Sequence, residues 1–99
     1  MSVLITVKFP GDTDTFRKTL TDRADEMAGF AEQARAAGGI HHRFGIGDGF
    51  VVVVDEWESP QHFEQFFARP ELQAFIGSSG ASGPPEITVC EAIASPDQY

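Results

Sequence analysis

Apolar and polar positions alternate from Val3 to Phe9, with Val3, Ile5, Val7 and Phe9 pointing one way and Leu4, Thr6 and Lys8 the other. That period of two predicts a strand with one buried face. Pro10-Gly11 ends it, and Asp12 or Asp14 can cap the next helix. The period then lengthens. Phe16, Leu20, Ala24, Met27, Ala31 and Ala34 recur at helical spacing opposite an acidic face of Asp22, Asp25, Glu26 and Glu32, which predicts one helix stopped by Gly38-Gly39. Ile40 to Gly47 and Phe50 to Trp57 read as two strands, and Asp48-Gly49 between them is a tight hairpin signal. Ser59-Pro60 places an N-cap before a proline at the first helical position, and Phe63, Phe66 and Phe67 form the stripe of that helix. Pro70 starts a short second helical turn carrying Leu72, Phe75 and Ile76, ended by Gly77. Ser78 to Pro85 reads as a flexible loop and Ile87 to Ile93 as the last strand. The tail from Ser95 is expected to be ordered only where something holds it.

The order β-α-β-β-α-β is the ferredoxin-like arrangement, an α+β domain with a four-stranded antiparallel sheet spanning residues 1–99. Phe50-Val51-Val52-Val53-Val54 is apolar at every position, which marks a strand buried on both sides. Helices cover only one face of such a sheet. The other would expose a contiguous patch that soluble monomers avoid. A homodimer pairing sheet to sheet is therefore expected, with His41, Arg43, Phe50, Val52, Val54 and Glu56 on the shared face. The alternative cover is the tail from Ala94 to Tyr99, which is short and mostly polar.

A formal net charge of −8, with the seven Lys and Arg scattered, disfavours nucleic acid or an anionic membrane surface as partner. Cys90 is the only cysteine, so neither an intrachain disulfide nor a CxxC metal site is available, and a reducing cytoplasm fits. The first residues lack a basic leader and cleavage site, and no apolar run reaches the length of a membrane span.

A two-residue turn at Asp48-Gly49 would pair Gly47 with Phe50, Ile46 with Val51, Phe44 with Val53, His42 with Asp55 and Ile40 with Trp57. All but the first of these pairs form a face that is apolar apart from His42 and Asp55, and it is assigned to the helix side. A carboxylate that orients an imidazole suits it to act as a general base or proton shuttle; the bland reading is a structural pair bridging two strands. A three-residue turn would oppose His41 to Asp55 instead. On the other face His41 and Glu56 would pair across the hairpin, with Arg43 at the dimer interior or rim. Adjacent strand side chains point apart, so His41 and His42 cannot chelate one metal and none is expected.

The stretch Val53-Val54-Asp55-Glu56-Trp57-Glu58-Ser59-Pro60-Gln61-His62-Phe63, with Ala68-Arg69-Pro70-Glu71-Leu72 after it, resembles the dimeric α+β barrel superfamily, and specifically its antibiotic-biosynthesis-monooxygenase-like branch. The resemblance covers nearly the whole chain and speaks more to fold than to function. The superfamily includes cofactor-independent monooxygenases, haem-degrading enzymes and many small proteins of unassigned role. The haem-degrading pattern asks for an Asn on the first strand, a Trp ending the third and a His on the next helix. Trp57 matches, but the His position falls at Phe67 and the chain contains no Asn, so that activity is set aside.

The oxygenase branch implies a substrate that supplies its own electrons, with no cofactor, inside a dry pocket holding a proton acceptor. Two functions are thus weighed. One is a monooxygenase-type enzyme with a pocket between sheet and helices, where His42 accepts a proton, Asp55 orients it, and Trp57, Phe63, Phe67 and His62 face a small aromatic ligand, beside Phe30. The other is a non-catalytic dimeric binding or assembly module whose aromatic cluster is simply core. Cys90 on the last strand reads as a buried small hydrophobe.

Overall fold

The structure, a computed structural model, describes residues 2–99. Its elements run β1 (Val3–Pro10), α1 (Thr13–Asp22), α2 (Ala24–Ala36), β2 (Gly39–Gly47), β3 (Phe50–Trp57), α3 (Pro60–Phe67), α4 (Pro70–Ser78) and β4 (Glu86–Glu91). The strands form one antiparallel sheet in the order β2-β3-β1-β4, the ferredoxin-like arrangement.

Alternation in β1 and β3 sets the layers. Val3, Ile5 and Val7, with Val51, Val53 and Trp57, are buried beneath the helices, and Phe63 and Phe66 of α3 complete this core. Leu4 and Val54, on the opposite face, remain 43% and 50% exposed. The tail does not cover them: it leaves the sheet after Ala92 donates to Ser2, and Ile93 and Tyr99 stand in solvent. Val52, Phe50, His41, Arg43 and Glu56 occupy this uncovered face by register, alongside Leu4, Thr6 and Cys90. Cys90 is accordingly exposed, which overturns the expectation that it is buried. The expected His41–Glu56 salt bridge is not formed among the described residues. The two are register partners, but the Glu56 carboxylate accepts the Ser2 hydroxyl at 2.6 Å.

Three local expectations need correction. The single helix after β1 is two. Arg23 lies outside helical geometry (φ −125°, ψ 32°), closing α1 through its N–H to the Thr19 carbonyl and opening α2 by accepting from Met27. Thr19 turns its hydroxyl onto the Thr15 carbonyl at 2.9 Å, a back-bond that bends helices, and Thr21 and Asp22 have weak helical preference. The Arg23 guanidinium then fixes the corner, binding Glu26 and the Ser78 hydroxyl and lying over the Phe75 ring. Second, the turn after Pro70 grows into a nine-residue helix that runs through Gly77 to Ser78. Third, β4 is shorter than expected, ending at Glu91.

The hairpin has the two-residue turn, with Gly49 at φ 78°, and pairs Gly47 with Phe50, Ile46 with Val51, Phe44 with Val53 and His42 with Asp55. At its far end the register slips. Gly39, not Ile40, lies opposite Trp57, because one extra residue is accommodated between Gly39 and His41. A Cβ on Gly39 would lie 3.0 Å from the Ala34 carbonyl oxygen, so the α2-to-β2 junction admits only glycine there without a shift.

Candidate active site

Helix α2 buries none of its residues fully, although its apolar stripe faces the sheet. It roofs a cavity of about 570 Å³ instead of packing down. The floor comes from β1 and β3 through Val7, Val53 and Trp57, and the edge strand β2 adds Phe44 and His42. Met27, Ala31 and Ala34 form the roof, and Phe63, Phe67 and Phe75 the wall. The aromatic rings brace one another: Phe63 stacks on Phe67 at 5.1 Å between centroids, and Phe30 meets Phe75 edge-on at 5.3 Å. The chamber is open on one side, and its volume falls in the range of small-molecule pockets.

One buried carboxylate interrupts the apolar lining. Asp55 is 7% exposed, and both its oxygens are engaged. Oδ1 lies 2.7 Å from His42 Nδ1, and Oδ2 accepts the Trp57 indole N–H at 3.0 Å. With its proton on Nδ1 toward Asp55, a neutral His42 would present Nε2 as an acceptor. His42 lines the cavity with its side chain 47% exposed, its ring set edge-on against Phe44 at 4.7 Å. His42 thus stands at the mouth and Asp55 inside. Among the described residues no buried side-chain polar atom lacks a partner.

Trp57 is 2% exposed and packs between Phe63 and Phe66, at 5.8 and 5.5 Å. Its ring lines the chamber while its N–H holds Asp55. The structure brings His42, Asp55, Trp57, Phe63 and Phe67 together around one cavity. His62 is placed elsewhere. It lies against Gly38 on the outer side of α3, its Nδ1 2.5 Å from the Ser59 hydroxyl and its Nε2 3.7 Å from Glu58, over a separate polar recess. The reason is helical geometry: a residue next to Phe63 points about 100° away from it.

Sequence reasoning overlooked the Trp57–Asp55 bond, although positions 55 and 57 share a face of β3 and the signal was there. It also missed Asp12, Phe16 and Arg35 at the cavity's margin, which come from elements whose orientation only the tertiary packing fixes. Asp12 caps α1 by accepting from the Asp14 and Thr15 amides and the Thr15 hydroxyl. These bonds, the Thr15 hydroxyl foremost, hold its carboxyl below the ordinary range. Among the described residues no group of three or more His, Cys, Asp and Glu is arranged to hold a metal ion, and no helix is long and apolar enough to cross a membrane.

No protein-family model matches the chain, and no curated protein matches it in sequence. Solved structures do. A monooxygenase from the gene ActVA-Orf6 of Streptomyces coelicolor, determined with the ligand nanaomycin D, is 24% identical, with a TM-score of 0.70 over 99% of this chain and 93% of that one. SnoaB of Streptomyces nogalater, a cofactor-independent oxygenase, is 18% identical, with a TM-score of 0.68 over 98% of each chain. Rv0793 of Mycobacterium tuberculosis is 16% identical, with a TM-score of 0.64 over 98% of this chain and all of that one. The likeness establishes the fold: this chain has the antibiotic-biosynthesis-monooxygenase-like α+β architecture.

Proposed function

We propose that the chain is a cofactor-independent monooxygenase for flat hydroxylated aromatic compounds, working as a homodimer paired through the uncovered sheet face. The observation that carries this reading is the Trp57–Asp55–His42 chain of hydrogen bonds, which ends in an imidazole lining an apolar chamber. His42 Nε2 accepts the proton of a ring hydroxyl, and Asp55 stabilises the imidazolium that forms. The resulting phenolate is electron-rich enough to reduce O2 itself. A phenol with a free para C–H plus O2 gives a quinone plus water: one oxygen atom enters the ring, the other leaves as water, and the substrate supplies all four electrons. The protein's part is to exclude water, align the ring and hold the proton. Solved proteins of this fold that are described as a monooxygenase and a cofactor-independent oxygenase support the assignment.

The test is oxygen uptake and quinone formation from a panel of naphthols and anthrones, without added flavin or metal. Turnover is expected in the unaltered protein. It should fall about 10²- to 10⁴-fold in His42→Ala, with the far-ultraviolet spectrum unchanged. A variant as fast as the parent would remove His42 from the mechanism. A binding-only module is the second reading, favoured by the lack of a free nucleophile among the described residues of the lining: the Ser79 hydroxyl is spent on the Phe75 carbonyl. It predicts that panel members bind without any oxygen uptake.

A further inference from the structure

Arg35 is the only Arg or Lys among the described residues that line the cavity. It stands in the last turn of α2, where the neighbouring polar recess also borders it. Its side chain makes no hydrogen bond or ion pair among the described residues, whereas Arg23 is held by Glu26 and Arg69 by Gln33. Two carboxylates line the same chamber, and neither is free to neutralise it. Asp12 is committed to the α1 cap, and Asp55 to His42 and Trp57. The chamber therefore presents one uncommitted cation against a lining that is otherwise largely apolar.

Arg35 is exposed to solvent at the rim, and His42 lines the same chamber.

We infer that Arg35 is a specificity-determining residue that selects ligands bearing a carboxylate over their neutral counterparts. A guanidinium matches a carboxylate through two parallel hydrogen bonds, and a neutral amide cannot reproduce that charge-assisted pair. The inference rests on the cavity being a ligand site. It adds the ligand's charge.

The experiment compares a hydroxynaphthoate with the matching hydroxynaphthamide. Binding is read by calorimetry and by the emission of Trp57, the chain's only tryptophan. The carboxylate is expected to bind about tenfold more tightly than the amide. Arg35→Gln should abolish that preference while leaving amide affinity within about twofold, and Arg35→Lys should restore part of it. Equal affinities in the unaltered protein, or a loss in Arg35→Gln that is the same for both probes, would overturn the role of Arg35 and leave the cavity reading standing. Failure of both probes to bind would overturn both.

Discussion

Asp55 accepts two hydrogen bonds from different directions and donates none, and the consequences of that arrangement can be tested by changing one atom. In Asp55→Asn one oxygen becomes an amide nitrogen, a donor. Trp57 can only donate and must keep the remaining oxygen. The amide NH2 then faces His42, forcing its Nδ1 to accept and moving the ring proton to Nε2. The lone pair that faced the ligand is lost although the shape is kept. Turnover should therefore fall at least about 10²-fold, while hydroxynaphthamide affinity, read from Trp57 emission, stays close to that of the parent. If Asp55→Asn oxidises naphthols at the parental rate, the orienting role of Asp55 is wrong. The same logic distinguishes Asp55 from a merely structural bridge, which would reveal itself in melting temperature and not in rate.

At the scale of elements, α1 depends on its cap. The bonds to Asp12 lower its carboxyl in the folded state, so their contribution is present above the ordinary carboxylate range and is lost as pH falls through the lowered folded value. Asp12→Ala should melt several degrees below the parent near neutrality, and the gap should close in strong acid; a gap independent of pH would contradict this. Much of the element layout was legible in the chain. The Asp48-Gly49 turn fixed the hairpin, and with it the His42–Asp55 pair, because a two-residue loop leaves one register. The bulge at Ile40 was not legible, since no break in the strand pattern marks it. The break at Arg23 was equally hidden. The apolar spacing continues through it, and the partners that stabilise the corner, Ser78 and Phe75, come from α4. The cavity left no periodic mark, for an alanine stripe reads the same whether it packs tightly or roofs an empty space.

For the whole molecule, the uncovered sheet face sets the state of assembly. Leu4, Val52 and Val54 lie there between the charged margins of Lys8, Arg43 and Glu56. Full burial of such side chains is worth about 1.5–3 kcal/mol each, and a two-fold axis counts every one twice. The proposed dimer should sediment as a single species of twice the chain mass at micromolar concentration. Val54→Lys, which leaves the helix-side cavity untouched, should shift it to monomer. A monomeric parent would refute the pairing.

The alanines of α2 carry a consequence of another kind. The groups proposed to handle protons, His42 and Asp55, lie on the sheet, whereas the space above them is bounded by Ala28, Ala31 and Ala34 on a helix that packs only lightly. Chemistry and capacity are therefore written in separate parts of the chain. A lineage could enlarge or shrink the chamber by substitutions in one helix, exploring guest after guest, without disturbing the floor on which the reaction depends.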